Sequence, residues 1–488
     1  MNNIFDKLKA YSDSDYYAFH MPGHKRNLDL MDGTSPYRID ITEIDGFDDL
    51  HHAEGILRDA QERAARVYHA DETHFLVNGS TVGILSAILG TTEKGDSILV
   101  ARNCHKSVYH AIYLNELDPV YLYPKFDTEQ GLSTEIDAAD VQKALEEHPK
   151  IRAVMIVSPT YDGVVSDIEK IAEIVHAKGC PLIVDEAHGA HFGFDPYFPK
   201  SANIYGADLV INSLHKTLPA LTQTALLHVN GDMVNRRKVK QYLDMLQTSS
   251  PSYILMASID ACIGMLEETL ETHSDARSDY KYKNIFSEYA NRIEALRKDL
   301  KRLKYLKIIQ TDNTDRYDRS KFVISVKHAP MSSHELYEIL LHRYHLQMEM
   351  LAGTYVLAMT TVGDTQEGLD RLRDALLEID KEIDTKQGRP AAIETDLPLS
   401  GRQPALEKVW TIAEAVNRRD KIQKRSFEDS IGCISVEYAY LYPPGSPLIV
   451  PGERITKEAV EVLHWYQEHD FSIEGLQSED GIEVWIDG

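Results

Sequence analysis

Residues 153–191 read AVMIVSPTYDGVVSDIEKIAEIVHAKGCPLIVDEAHGAH. A β-rich apolar run opens this stretch, passes through Pro159-Thr160-Tyr161-Asp162 and gives way to the amphipathic pattern DIEKIAEIVHAKG. A second apolar run, PLIVD, then closes on Asp185. The same alternation extends outward over about residues 74–230, with HFLV, SILVA, LVINS and ALLHV as further runs. Short apolar strands alternating with helical patterns predict an α/β fold with a mainly parallel sheet and crossover helices.

The polar residues at the end of each run carry the chemistry. HFLV leads into Asn78-Gly79-Ser80-Thr81, SILVA into Arg102-Asn103-Cys104-His105, and PLIVD into Asp185-Glu186-Ala187-His188. LVINS runs into Leu214-His215-Lys216. In open α/β sheets ligands bind beyond the carboxyl ends of the strands, so these polar groups are expected on one rim.

In NGSTVGILSAI, Gly79 permits a tight turn, and Ser80 and Thr81 open an apolar helix whose N–H groups and positive end would face an anion. Standing alone, the same letters spell an ordinary N-cap before a core helix. Asp185, at the end of a Val/Ile/Leu strand, needs a partner if buried, and a protonated ring nitrogen would be one. It could equally cap the next turn. His105, just past a strand, could stack on a flat ligand or act as an acid or base. A lysine in an apolar cleft has a lowered pKa, so Lys216 could form a Schiff base with a carbonyl; a lysine reaching solvent is the plain alternative. Together, phosphate cup, aromatic platform, buried carboxylate and Schiff-base lysine are what pyridoxal 5′-phosphate requires of a protein.

Composition narrows the classes. The 488 residues are 43% hydrophobic and 26% charged, as in a soluble globular chain of two or three domains. The start lacks the layout of a signal peptide, and no apolar run approaches the roughly 20 residues that span a bilayer, so a cytoplasmic location without membrane contact is expected. Cys104, Cys180, Cys262 and Cys433 are far apart and form no CxxC pair, which suggests neither a disulfide framework nor a zinc ribbon. A net charge of −25 argues against nucleic acid and suits a cationic small molecule. Asp185-Glu186-Ala187-His188 also spells a helicase box, but no G-x-x-x-x-G-K-[ST] loop accompanies it. A metal site is disfavoured: the pairs His20/His24 and His188/His191 lie in Gly-containing turns, and H-E-x-x-H is absent.

The stretches FHMPGHKRN, DDLHHAEG, NGSTVG, ARNCHKSV, SPTYDGVVSD, VDEAHGAHFGF, NSLHKTLPALTQTALL, TSSPSYILMASID and YPPGSPLIVPGE occur in this order along nearly the whole chain. In them the sequence resembles the Orn/Lys/Arg decarboxylase family of pyridoxal-phosphate enzymes, of the aspartate-aminotransferase-like fold (fold type I). It looks most like the short biosynthetic-type members. The resemblance implies that Lys216 holds the cofactor covalently, Asp185 meets the pyridine nitrogen, His105 stacks on the ring and His188 lies above or beside it. It places Ser80, Thr81, Ser213 and His215 at the phosphate, beside the Gly79 turn. Thr248 and Ser249 are expected to reach the phosphate of the neighbouring subunit's cofactor in a homodimer with shared sites, which could assemble further. Glu453 and Glu437 are the acidic groups expected to meet the distal cation of the substrate, and His24 is expected at the entrance. His215 or Lys216 would return a proton to Cα.

The implied organisation is an N-terminal segment bordering the site (1–70), a cofactor-binding large domain (71–310), a small α+β domain (311–384), a linker (385–404) and a C-terminal α+β domain (405–488). The implied reaction is decarboxylation of a basic L-amino acid: arginine to agmatine first, then lysine to cadaverine or ornithine to putrescine, in polyamine biosynthesis. An aminotransferase or other amino-acid lyase of the same fold is the rival, and Arg343 would be its carboxylate clamp.

Overall fold

The computed structural model describes residues 13–25, 27, 39–271, 281–309, 314–385, 403–418, 420–442 and 445–486. Most of the linker expected at 385–404 therefore lies outside the described residues. The centre is a seven-stranded sheet of β1 (Glu72–Leu76), β2 (Ser97–Ala101), β3 (Asp118–Leu122), β4 (Ile151–Val157), β5 (Leu182–Asp185), β6 (Leu209–Asn212) and β7 (Ala225–Val229). Its order is β1-β7-β6-β5-β4-β2-β3. Strands β6, β5, β4, β2 and β3 pair in parallel, while β7 is antiparallel to both β1 and β6. The α/β class with a mainly parallel sheet is thus the one the alternation predicts.

Strands β5 and β6 are buried at every residue, because helices such as Gly79–Thr91 and Ile168–Ala177 cover the sheet and no face is left for polar side chains. Strand β3 is absent from the apolar runs of the sequence for a physical reason. It is an edge strand, half-exposed at three of its five residues, and it carries Pro119, which an edge tolerates.

Beyond the sheet come the helices Arg236–Leu246, Tyr253–Glu271 and Ile285–Leu300. A four-stranded antiparallel sheet comes next, ordered Lys307–Ile308, Lys321–Ser325, Tyr355–Met359 and Met350–Ala352. The end of the chain builds two three-stranded sheets and the helix Lys457–Glu468 around its own core of Leu448, Ile449, Ile455, Leu463, Ile482 and Val484. Among the described residues no helix is long and apolar enough to cross a membrane.

One early segment returns to the centre. Tyr17–Phe19 pairs in parallel with Leu346–Met348, and the chain then runs under the one-turn helix Leu214–Thr217 that carries Lys216. There the Gly23 N–H donates to the His215 carbonyl at 2.6 Å. A Cβ at Gly23 would lie 2.6 Å from the Leu218 carbonyl oxygen and 2.7 Å from its nitrogen, so the approach requires glycine.

Candidate active site

A cavity of about 230 Å³ opens at the carboxyl ends of the parallel strands. The large sheet contributes Ser80, His105, Asp185, His188 and Lys216 to its wall. The turn before Tyr355 and side chains of the C-terminal region, Leu441 and Tyr466 among them, close the other side. Crossover topology explains the convergence: every parallel strand ends on the same rim, so residues far apart in sequence meet there.

Lys216 Nζ lies 2.9 Å from His188 Nε2. Desolvation pulls the lysine below its ordinary pKa, and Asp185 opposes that pull. Asp185 is buried, accepts a hydrogen bond from the Ala187 N–H at 3.0 Å, and is raised by desolvation against the charge of Lys216. His188 is held well below the usual imidazole value by burial and then by Lys216 and Lys321, so its ring is neutral. Lys321 Nζ stands 3.5 Å from His188 Nδ1. The neutral ring thus lies between two lysine amines.

His105 caps the helix Lys106–Leu114, its Nδ1 2.8 Å from Ser107 Oγ. Desolvation and then the charge of Lys216 push it down to about 4, leaving a neutral ring turned to the cavity. Gly79 adopts a positive φ of 74°, donates its N–H to the Gln223 carbonyl at 3.0 Å, and is the first residue of the helix that continues through Ser80 and Thr81. Ser80 is half-buried on the cavity wall and Thr81 is exposed. Ser213 Oγ is buried and has no hydrogen-bond partner among the described residues. His215 donates from Nδ1 to the Thr224 carbonyl at 3.0 Å and is not on the cavity wall. Thr248 and Ser249 are exposed, and the Thr248 N–H donates to Asn78 Oδ1 at 3.2 Å, beside the Gly79 turn.

Other expected residues are not brought to the cavity. Glu453 is fully buried in an ion pair with Arg102, Oε2 to Nη2 at 2.8 Å, and the same oxygen accepts the Val450 N–H at 2.9 Å. Desolvation raises its pKa while Arg102 opposes, and the pair ties the C-terminal region to the end of β2. The two oxygens of Glu437 accept the N–H groups of Gln477 at 2.9 Å and Glu483 at 2.7 Å. Both carboxylates are thus held by structural partners and do not line the cavity. His24 lies in the turn after Gly23, near Gly363 and off the cavity wall. Arg343 is exposed and pairs with Glu378 at 2.7 Å and Glu382 at 2.6 Å, so it cannot clamp a carboxylate in the cavity. The His188/His191 pair is split, since His191 Nε2 binds Asp318 at 3.0 Å. No group of three or more metal-ligating side chains exists among the described residues.

Sequence reasoning puts Asp162 among the strand-end residues without a task, and passes over its donor Tyr355, Lys321, and Glu349, which takes the Met21 N–H at 2.8 Å and the Tyr161 hydroxyl. Asp162 comes after Pro159-Thr160-Tyr161 at a strand end, and that position was the available signal. Lys321 and Glu349 announce themselves only through packing.

A mainly parallel sheet with one antiparallel strand, and a cavity at its strand ends around a desolvated lysine and a buried aspartate, define an enzyme of fold type I. The lysine decarboxylase LdcF of Francisella novicida shares the fold, with a TM-score of 0.77 at 18% identity over 98% of this chain and 80% of that one. The models for the Orn/Lys/Arg decarboxylase major domain and C-terminal domain match residues 2–339 and 402–484. The uncharacterized protein YaaO of Bacillus subtilis is 36% identical, covering 94% of this chain and 93% of its own length. An arginine decarboxylase of Bacillus anthracis is 31% identical, covering 97% and 94%. The chain belongs to the Orn/Lys/Arg decarboxylase family and is a decarboxylase of that kind.

Proposed function

We propose that this decarboxylase uses pyridoxal 5′-phosphate to convert L-arginine to agmatine and CO₂ in the cytoplasm, for polyamine biosynthesis, with lysine and then ornithine as the next substrates. The observation that carries the reading is the meeting of Lys216, Asp185 and His105 in one cavity. Arginine stands first because relatives matching over nearly their whole length are named for it. When bound, the cofactor supplies an aldehyde that condenses with amines and a protonated ring that withdraws electrons from a bond at Cα, which is what loss of CO₂ needs.

The residues present suit that group. Lys216, whose pKa burial lowers and whose Nζ contacts His188, is the amine for the aldehyde. Asp185, whose carboxylate accepts the Ala187 N–H, is the acceptor for a ring nitrogen and holds the proton there. His105 and His188 flank the ring. Ser80, Thr81, Ser213 and His215 with the Gly79 turn form the phosphate cup, and the partnerless Ser213 hydroxyl is a donor awaiting an acceptor. In a homodimer, exposed Thr248 and Ser249 complete the phosphate site of the neighbour. Lys216, on the cavity wall, returns the proton to Cα in preference to His215, whose Nδ1 is tied to Thr224. The outward turn of Arg343 favours this reading over an aminotransferase.

The test offers arginine, lysine and ornithine to purified holoenzyme, with CO₂ measured and the amine identified. Equimolar CO₂ and agmatine from arginine is the expected result, and a keto acid formed without CO₂ overturns it. Borohydride reduction is expected to fix the cofactor on Lys216, and Lys216→Ala to abolish both labelling and turnover.

A further inference from the structure

A second carboxylate on the cavity wall has no task in the proposed reaction. Asp162 is 7% exposed and lines the same cavity as Lys216 and Asp185. Tyr355 donates its hydroxyl to Asp162 Oδ1 at 2.5 Å. Among the described residues no basic nitrogen lies within 4.0 Å of it. A desolvated carboxylate held only by neutral donors, the Tyr355 hydroxyl and its own backbone N–H, is costly, and a cation entering the cavity relieves that cost. Burial pushes its pKa up to about 6, with Tyr355 and then Lys321 pulling the other way, so it is mostly ionised at neutral pH.

A basic amino acid that presents its α-carbon to Lys216 brings its side-chain charge into the same enclosed space, and that charge needs a counter-ion. Asp185 is already beside Lys216, and Glu437 and Glu453 are committed elsewhere. Asp162 is the remaining acidic residue on the wall. Phe126, Leu132 and Tyr466 also line the cavity and offer apolar surface for the methylenes.

We propose that Asp162 binds the side-chain cation of the substrate, with Tyr355 fixing the carboxylate, and that this pairing selects a basic amino acid over a neutral one of the same shape. The assignment rests on the proposed function, in which the substrate is a cationic amino acid.

Arginine and citrulline, which differ in the charge of the terminal group, are the probes. Binding of each to holoenzyme is measured by calorimetry, and turnover is measured in parallel. Asp162→Asn keeps an acceptor for the Tyr355 hydroxyl while removing the charge. It is expected to weaken arginine about 10- to 100-fold and leave citrulline within about twofold, with the cofactor absorbance unchanged. Asp162→Glu, which restores the charge, is expected to recover part of the preference for arginine. Tyr355→Phe, which keeps the charge and loses its donor, is expected to weaken arginine by less than Asp162→Asn does. Equal losses for arginine and citrulline in Asp162→Asn, or no loss for either, overturn the assignment. Failure of the proposed function shows differently, as wild-type holoenzyme that releases no CO₂ from any of the three basic amino acids, and the binding comparison decides on Asp162 in that case too.

Discussion

His188 sits between two lysines, its Nε2 2.9 Å from Lys216 Nζ and its Nδ1 3.5 Å from Lys321 Nζ. Desolvation lowers both amines, Lys321 to about 8, with Asp318 and Glu349 supporting its charge and Lys216 opposing it. Two ammonium groups flanking one neutral imidazole is a costly arrangement, in which each charge opposes the other. Replacing Lys321 with methionine removes both the donor at Nδ1 and the like charge. With that charge gone, the apparent pKa of Lys216 is expected to rise. Competitive amine labelling of the apoprotein, read by mass spectrometry across pH, measures it. An unmoved Lys216 would remove Lys321 from this role.

Glu453 gives the opposite kind of prediction. With Arg102 and Glu453 both fully buried, Glu453→Gln leaves a guanidinium without its counter-charge. Removing one partner of a buried pair typically costs about 3–5 kcal/mol, so the unfolding temperature should fall clearly. The KM for arginine in the surviving folded enzyme should stay within about twofold. A raised KM with undiminished thermal stability would return Glu453 to the substrate.

These two residues mark what was legible in the sequence. Strands β5 and β6 are buried on both faces, so the polar residues that end or follow them, Asp185 and Lys216, announce the rim. Asp162 stands in the same kind of position, at the end of the AVMIVS run, but nothing local says which charge it meets. Arg102 and Glu453 meet across 351 residues, a pairing no local pattern encodes. Lys321 heads KFVISV like any solvated strand start. Its burial depends on Gly163, where a Cβ would lie 2.9 Å from the lysine Cγ, so room for the side chain comes from another element.

Gly23 tests whether the early segment holds Lys216 in place. Its Cα lies against the backbone of Leu218, and the two backbones cannot both stay if a methyl group is added. Gly23→Ala should displace either residues 20–25 or the turn carrying Lys216. A misplacement of about 1 Å can cost roughly 100-fold in rate, so kcat/KM is expected to fall by that order while the cofactor absorbance persists. Steady-state kinetics beside a visible spectrum would show it, and full activity would mean that this contact does not position Lys216.

Acid should weaken the fold through His228. The residue is fully buried on β7, with Nδ1 2.8 Å from Thr73 Oγ1, and desolvation followed by the charge of His74 pushes it down to about 3. In the unfolded chain the same imidazole takes up its proton near the ordinary value of about 6.5. Above that pH neither state binds the proton, and His228 has no effect on stability. As pH falls from about 6.5 to about 3, the unfolded state holds the extra proton and the native state does not, so stability falls with pH. One proton corresponds to about 1.4 kcal/mol per pH unit, and His228→Gln should flatten the profile by up to that slope. Urea unfolding at pH 4, 5, 6 and 7 for both proteins gives the comparison, and parallel profiles would assign the acid sensitivity to other groups.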